Sequence, residues 1–374
     1  MIYIHIPYCK TKCVYCSFYS IAGQKNTLKY TDALCSELKT RKNYLPSTEI
    51  RTIYFGGGTP SVLEISSLKK IIQTLKDNYD LQNIEEITFE ANPEHLTAEY
   101  LKELKSLNFI NRLSIGIQTF DDKILKLINR RHTSKQALEA VRIAQAEGFN
   151  NISLDLIYGI PTQGNKEWNK NLDTISELAI QHLSCYALTV EPDTMLEKMI
   201  TKNIIPPVSE DYTIEQYSLL EEWAEKNGFI HYEISNFAKG EEYRGLHNSR
   251  YWNNTPYLGC GASAHSFDGE NRGWNPANIN TYIQEIQSGK LPFETEILTP
   301  KDRYNDYIMT TLRTKEGINS SFLESNFATL WNVAKKKIKH FENRSLIEKT
   351  SEGYKLTKKG ILMCDFITVE LFAD

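Results

Sequence analysis

The chain has 374 residues, of which 41% are hydrophobic and 24% are charged, so it can bury a large core. Its net charge of −4 gives no overall positive field that would attract nucleic acid or an anionic membrane. No apolar run approaches the ~20 residues of a membrane span, and seven cysteines scattered over a long chain do not resemble a secreted disulfide framework. We therefore expect a soluble, cytoplasmic protein without a transmembrane segment.

Short runs of β-branched and aromatic residues alternate with longer amphipathic stretches from the N-terminus onward. The runs are residues 2–6, 52–56, 86–90, 112–117, 152–159 and 183–190. The stretches between them repeat apolar residues every three or four positions, which is typical of helices packed on one face. This alternation predicts a parallel sheet with helical crossovers, and six units are fewer than the eight of a closed TIM barrel. We predict an α/β fold with an open, partial (β/α)6-type barrel over residues 1–240, including a long helix at 209–227 and a further strand at 231–235.

The composition changes after about residue 240. Residues 241–280 are rich in glycine, asparagine and aromatic residues with little periodicity, so we predict an irregular connector over residues 241–297. Residues 298–374 then predict three helices, a short hairpin and a last helix, which together suggest a small winged-helix-like α+β domain. A wing often contacts DNA, but the basic cluster at 335–340 is typical of a solvated helix face, so nucleic-acid binding is not expected.

Three cysteines lie close together after the first predicted strand. Cys9, Cys13 and Cys16 form a C-x3-C-x2-C pattern. A redox pair would not need Cys9. A structural zinc site normally closes with four ligands, and a second CxxC pair is absent from the sequence, although His5 is an alternative fourth ligand. Three thiolates can instead bind three irons of a [4Fe–4S] cluster and leave the fourth iron open to a ligand. The spacing favours the cluster, and zinc remains an alternative on the residues alone.

A glycine-rich loop and several polar residues follow the other predicted strands. The loop is FGGGTPS at 55–61, whose glycines permit close approach of a ligand to the backbone but also suit a tight turn. Four polar residues lie at or just beyond the ends of apolar strands: Glu90, Gln118, Arg130 and Asp155. Because the carboxyl ends of parallel barrel strands meet at one face, we expect these residues to surround the cysteine loop and bind a polar ligand.

The cysteine pattern, with Tyr15 before the last cysteine, resembles the radical S-adenosylmethionine superfamily. This resemblance implies a radical SAM barrel in which the methionyl group of S-adenosylmethionine chelates the open iron of the cluster. It implies that the glycine-rich loop holds the methionyl amino group and that an external, unidentified electron donor reduces the cluster. The cofactor-binding residues that it implies are Tyr3, Tyr15, Gly57, Gly58, Thr59, Glu90, Gln118, Arg130 and Asp155.

Three further stretches narrow the resemblance to the coproporphyrinogen III oxidase-like branch over almost the whole chain. They are LDLIYGIPTQ at 154–163, SIGIQTF at 114–120 and NRRH at 129–132. The dehydrogenases of this branch have a fourth cysteine two positions after the third and an N-terminal extension. Here Phe18 stands at that position and only eight residues precede Cys9, as in the haem-chaperone (HemW) type. The resemblance implies a chaperone without catalytic residues of its own. The alternative is a radical enzyme that oxidises coproporphyrinogen III or another tetrapyrrole.

The motif HNSRYW at 247–252 fits the H-N-x-x-Y-W pattern associated with haem binding in the chaperone type. The neutral imidazole of His247 would be an axial ligand of haem iron, with Tyr251 and Trp252 packed on the porphyrin. His265 is the alternative ligand. The implied partners are haem and haem-accepting proteins, respiratory ones among them, and the sequence leaves open whether the chain forms a homodimer. A CxxCH motif is absent, so a thioether-linked haem is not expected.

Overall fold

The structure is a computed structural model that describes residues 1–47 and 49–373. The first part of the chain contains, in order, β1 (Ile2–Ile6), β2 (Tyr8–Cys9), β3 (Ile21–Ala22), α1 (Thr27–Thr40), β4 (Thr52–Gly57), α2 (Ile65–Asn78), β5 (Glu86–Ala91), α3 (Ala98–Ser106), β6 (Arg112–Gln118), α4 (Asp122–Leu127), α5 (Ser134–Ala146), β7 (Ile152–Tyr158), α6 (Asn165–Glu177), β8 (His182–Ala187), α7 (Met195–Thr201) and α8 (Glu210–Lys226). The predicted alternation of strands and helices is confirmed.

Six of these strands form the centre of an open, parallel sheet. Their order is β1, β4, β5, β6, β7 and β8, and each neighbouring pair runs in parallel. Alternate residues along each strand, such as Phe55, Phe89 and Leu154, are buried with the apolar faces of the helices in one large core. The residues between them are mostly polar, which leaves a polar surface on the concave side of the sheet. The predicted partial barrel is therefore confirmed.

Three further strands extend the sheet at its edges. The chain continues with β9 (Ile230–Glu233), β10 (Asn236–Ala238), α9 (Leu246–Trp252), β11 (Leu258–Cys260), β12 (His265–Phe267), β13 (Asn271–Trp274), α10 (Ile279–Gln287) and β14 (Glu294–Ile297). The strand predicted at 231–235 corresponds to β9, which pairs antiparallel with β10, while β10 pairs antiparallel with β8. At the opposite edge β11 pairs parallel with β1, so the sheet has nine strands within the residues that the structure describes.

The segment 241–297 is thus more regular than its composition indicated. It contains α9, β11 and a three-stranded antiparallel sheet of β12, β13 and β14. These strands have only three or four residues each. A period of two cannot be recognised over so short a length, because two or three alternations occur by chance in any mixed sequence.

The C-terminal part contains α11 (Pro300–Thr311), β15 (Ile318–Asn319), α12 (Ser320–Asn343), β16 (Ile347–Lys349), β17 (Gly353–Leu356), α13 (Lys358–Ile361) and α14 (Cys364–Leu371). Non-helical backbone at Phe327 (φ −141, ψ 36) divides α12 in two, so three helices precede the β16–β17 hairpin as predicted. This part has a core of its own, centred on Trp331. It joins the barrel edge where Ile234 donates a backbone hydrogen bond to Arg313 O at 2.8 Å.

None of the helices in the described ranges is both long and apolar enough to span a membrane.

Candidate functional site

A cavity of about 470 Å³ opens at the carboxyl ends of the parallel strands. The cysteine loop after β1, the glycine-rich loop after β4 and the ends of β5 to β8 form its walls. Every residue predicted to bind the cluster or S-adenosylmethionine borders this cavity: Tyr3, Cys9, Cys13, Tyr15, Cys16, Gly57, Gly58, Thr59, Glu90, Gln118, Arg130 and Asp155. The fold therefore gathers side chains from five different strand ends into one place, whereas their contacts with a ligand remain predictions.

The cysteine loop presents three free thiols to the cavity. Cys9, Cys13 and Cys16 are partly exposed, whereas the other four cysteines are buried. Thr59 Oγ1 lies 3.5 Å from Cys9 Sγ, and Arg130 Nη1 donates to Cys13 Sγ at 3.6 Å. Burial raises the pKa of the Cys9 and Cys16 thiols. Their ionisation therefore needs nearby positive charge of the kind that bound metal supplies.

The arrangement of donors bears on the choice between zinc and a cluster. Among the residues that the structure describes, no three His, Cys, Asp or Glu side chains converge as one bound metal ion requires. Thiolates that bind three separate irons do not have to converge on one point. The ring nitrogens of His5 face Tyr3 OH at 3.0 Å and Tyr19 O at 3.1 Å, so His5 would have to leave both partners to act as a fourth ligand. The donor set fits a cluster better than a closed zinc site.

The glycine-rich loop is glycine-rich because it packs tightly against the cysteine strand. Gly57 has φ +108, and a Cβ there would lie 2.5 Å from the His5 ring. A Cβ on Gly58 would lie 2.7 Å from Tyr8 O. The N–H groups of Gly58 and Thr59 donate to Ile6 O and Tyr8 O, each at 2.8 Å. The two loops are thus fixed to each other, which is a structural requirement for glycine beyond the ligand approach predicted from the sequence.

Two buried carboxyl groups face the cavity. Glu90 accepts a hydrogen bond from Tyr54 OH at 2.6 Å, and burial raises its pKa to about 7. Asp155 accepts from Ser114 Oγ at 3.1 Å, and burial raises its pKa as well. Buried carboxylates are costly without partners, so both groups are ready to accept hydrogen bonds from the hydroxyl or ammonium groups of a polar ligand.

Several residues at the cavity were not predicted. Arg130 Nη2 donates to Asn92 Oδ1 at 2.7 Å, and Asn92 Nδ2 donates to Thr59 Oγ1 at 3.2 Å. Arg130 also donates to Gly116 O. These contacts make Asn92 and Gly116 part of the wall that orients Arg130. Four residues border the cavity although the sequence did not predict them there: Asn92, Ser114, Gly116 and Tyr186.

The signal that would have found most of them is a polar residue at every second position of an otherwise apolar strand. Side chains on a strand alternate between its two faces. The alternating sets are Glu86, Thr88 and Glu90 on β5; Arg112, Ser114 and Gly116 on β6; Ser153 and Asp155 on β7; and His182, Ser184 and Tyr186 on β8. These sets form the concave, polar side of the sheet, from its amino end to the cavity.

The predicted haem ligand lies at the opposite end of the barrel from the cavity. His247 belongs to α9, which covers the amino ends of the strands, and its side chain is fully buried. Its Nδ1 faces Thr52 Oγ1 at 2.9 Å and its Nε2 faces Tyr251 OH at 3.1 Å. Burial lowers the pKa of the imidazole well below its usual value. In this conformation both ring nitrogens are engaged, so His247 could bind haem iron only after a rearrangement.

The start of α9 is held against the barrel by hydrogen bonds. The N–H groups of Leu246 and His247 donate to the Glu86 carboxylate at 2.8 and 3.0 Å, and an anion at a helix N-terminus is favourable. Gly245 N–H donates to Tyr232 OH at 3.0 Å. Tyr232 OH in turn lies 2.7 Å from His182 Nε2, whose Nδ1 faces Ser153 Oγ at 2.7 Å. The motif helix therefore closes the base of the barrel through an internally paired network.

The alternative haem ligand has a different environment. His265 lies on β12 and is exposed. Its ring centroid is 5.9 Å from that of Trp274 on the paired strand β13. An imidazole beside an aromatic surface is thus accessible at this site without any rearrangement.

Comparisons with known proteins match both parts of the chain. Residues 3–175 match the model of the radical SAM superfamily, and residues 298–363 match that of the HemN C-terminal domain. A curated relative from Bacillus subtilis, named Heme chaperone HemW, is 34% identical over 369 residues, which cover 96% of each chain. A Lactococcus lactis relative of the same name is 31% identical over 96% of this chain and 93% of its own.

A solved structure shares the fold. The coproporphyrinogen III oxidase HemN from Escherichia coli, described as a radical SAM enzyme, is 22% identical with a TM-score of 0.86. The match covers 100% of this chain and 89% of that one. The likeness confirms the architecture of the barrel with its C-terminal domain, and at this identity it carries no more than the fold.

Proposed function

We propose, on the premise that the chain belongs to the HemW family of radical SAM proteins, that it binds haem and passes it to acceptor haemoproteins. The observation that carries this proposal is the 34% identity to a relative named Heme chaperone HemW over 96% of both chains. The match extends over 96% of the chain, which covers the barrel and most of the C-terminal domain. Phe18, at the position of the dehydrogenases' fourth cysteine, points the same way.

At the cavity, we propose a [4Fe–4S] cluster on Cys9, Cys13 and Cys16, with S-adenosylmethionine at the open iron. When bound, this pair supplies one-electron chemistry at a sulfonium carbon–sulfur bond. Thr59 and Arg130 are placed to hydrogen bond to the thiolates of Cys9 and Cys13. The support for the site is the convergence of all twelve predicted residues on one cavity with three free thiols.

Around that site the chain's own side chains would bind and orient the cofactor. Gly57, Gly58 and Thr59 form a rigid edge because their loop is fixed to the cysteine strand. Glu90 and Asp155 would accept hydrogen bonds from ammonium or hydroxyl groups. The other predicted contacts are Tyr3, Tyr15, Gln118 and Arg130. Their distribution around the cavity suits a ligand with several separate polar groups.

Haem would bind at the α9 end of the barrel. His247 would be its axial ligand, once the imidazole leaves Thr52 and Tyr251, and the freed rings of Tyr251 and Trp252 would pack on the porphyrin. A neutral imidazole is the form that iron binds, and burial keeps His247 neutral. His265 remains the alternative ligand. We further propose that this chain is cytoplasmic, that its partners are haem-accepting proteins, respiratory ones among them, and that an external donor supplies electrons.

The test is haem transfer from the anaerobically reconstituted protein. The haem-loaded chain is mixed with apomyoglobin, and we expect the Soret band of holomyoglobin to grow as the donor band declines. A parallel sample receives coproporphyrinogen III, S-adenosylmethionine and dithionite. Formation of protoporphyrinogen without haem transfer would contradict the chaperone function and favour the alternative radical oxidoreductase.

A further inference from the structure

One side chain reaches from the cavity to the buried imidazole at the base of the barrel. Tyr54, on β4, donates its hydroxyl hydrogen to Glu90 Oε1 at 2.6 Å. The other side of its ring packs against His247, with ring centroids 5.2 Å apart and planes tilted by 35°. Tyr54 therefore contacts a residue of the cavity wall and the predicted haem ligand at the same time.

The space for this ring is created by a glycine. A Cβ on Gly56 would lie 2.8 Å from Tyr54 Cε1 and 3.1 Å from Tyr3 Cε2. The rings of Tyr3 and Tyr54 stack with centroids 6.1 Å apart. Any larger residue at 56 would displace one of the two rings. The first glycine of the FGGG sequence is thus explained by the position of Tyr54 and not by a ligand.

The hydrogen bond to Glu90 is the only polar contact that the Tyr54 side chain makes within the described residues. A tyrosine hydroxyl has one hydrogen to donate. A ligand group that donates to the Glu90 carboxylate shares its negative charge with Tyr54 and thereby weakens the hydrogen bond that Glu90 accepts from the Tyr54 hydroxyl. The ring would then be free to move within the space that Gly56 leaves, and the packing against His247 would loosen.

We infer that Tyr54 is a positioning residue that couples occupancy of the cavity at Glu90 to the release of His247 from its closed position. This inference rests on the proposed function in taking S-adenosylmethionine as the ligand of the cavity and His247 as the ligand of haem. The cofactor site of a haem carrier then has a regulatory role, because the ligand bound at one end of the barrel controls whether the imidazole at the other end is available.

The test follows the chemical accessibility of His247 without using haem. Anaerobic, cluster-loaded protein is treated with diethyl pyrocarbonate, and mass spectrometry follows the modification rate of His247 relative to exposed His265 in the same sample. In the wild type we expect slow modification that becomes roughly tenfold faster with S-adenosylmethionine, as loss of one hydrogen bond to a charged group allows. In Tyr54→Phe we expect fast modification that no longer responds to S-adenosylmethionine.

A matched control distinguishes loss of the Tyr54–Glu90 hydrogen bond from the general effect of removing a buried hydroxyl. Tyr217→Phe removes a tyrosine that donates to a carboxylate, Glu221 Oε1, at 3.2 Å outside the cavity. This variant should behave as the wild type. If Tyr54→Phe does not fold, Gly56→Ala provides the second variant, because its Cβ displaces the Tyr54 ring and should also expose His247.

Equilibrium dialysis with S-adenosylmethionine distinguishes the possible failures. Binding to the wild type without any change at His247, or a Tyr54→Phe protein that still responds, would overturn the inference. Absence of binding would overturn the proposed cofactor site together with the coupling. A Tyr54→Phe protein with wild-type reactivity at His247 would show that the Tyr54–Glu90 hydrogen bond does not hold His247 in place, whether or not the protein binds haem.

Discussion

The two ends of the barrel carry similar side chains with opposite bonding. At the carboxyl end, thiols and buried carboxyl groups face a cavity and have few partners in the protein. At the amino end, Glu86, His247 and Tyr232 are buried as deeply, but they pair with backbone amides or with neighbouring side chains. Buried polar groups normally have hydrogen-bond partners. The carboxyl end, where such partners are few, therefore indicates a ligand site, whereas the paired amino end indicates a structural role. The same residue types thus have different roles according to what surrounds them.

Two glutamates on strand β5 show the difference between the two ends of the barrel most directly. Glu86 accepts from the backbone of Leu246 and His247 and lies 4.0 Å from Arg112. Glu90, two alternations further along β5, accepts from Tyr54 and borders the cavity. We expect the first to contribute to stability and the second to ligand binding.

The largest predicted effect concerns the cysteine loop. Cys9→Ser, Cys13→Ser or Cys16→Ser should abolish the broad absorbance near ~400 nm of the anaerobically reconstituted protein, because cysteine thiolates hold such clusters. Cys35→Ala should keep it, since Cys35 is buried in α1 with no access to the cavity. Loss of the absorbance in Cys35→Ala to the same extent, while a loop variant retains it, would mean that the ligand set is wrong.

The second prediction compares the two candidate haem ligands. His247→Ala should shift the Soret band of the haem-loaded protein, because the axial imidazole is lost, and should leave the cluster spectrum unchanged at the far end of the barrel. His265→Ala serves as the matched control and should leave the Soret band in place. The reverse pattern in visible spectra would move the haem site to the exposed surface at β12.

The third prediction uses the two glutamates of β5. Glu86→Gln should lower the free energy of unfolding by about 2 kcal/mol, since it leaves buried donors of α9 without a full acceptor. Glu90→Gln should change that free energy little and weaken S-adenosylmethionine binding instead. Urea denaturation and equilibrium dialysis of the anaerobic proteins give the two quantities. A larger loss of stability in Glu90→Gln than in Glu86→Gln would contradict the assignment of the two ends.

The smallest predicted effect is a dependence on pH. Burial raises the pKa of Glu90 to about 7 from 4.5, so the free protein releases this proton between pH 6 and 8. A ligand that donates to the carboxylate binds the ionised form. Affinity for S-adenosylmethionine should therefore rise with pH, by roughly tenfold over this window, as the ionised fraction grows. In Glu90→Gln, any remaining rise of the affinity with pH must come from other groups. A rise as steep as that of the wild type would exclude Glu90 as the source of the pH dependence.

Much of the cavity was predictable because it depends on short-range patterns. Parallel strands place their carboxyl ends together, so polar residues after apolar runs, such as Gln118 and Asp155, are expected to converge there. The environment of His247 was not predictable in this way. Its burial depends on Thr52 and Glu86, which lie more than 150 residues earlier in the chain. A motif gives the residue types of α9, but only the tertiary structure shows that its imidazole faces inward.

The central claim is that haem and the cluster occupy opposite ends of the barrel. Electron–electron dipolar coupling between the reduced cluster and low-spin ferric haem, measured by pulsed EPR on the loaded protein, tests it directly. Strand β4 runs from Thr52, beside His247, to Gly57 at the cavity, and five rises of ~3.3 Å separate these two residues by about 17 Å. We predict a separation on that order or longer. A separation of ~10 Å or less would place the porphyrin in the cavity beside the cofactor, as an enzyme substrate would be, and would contradict the account.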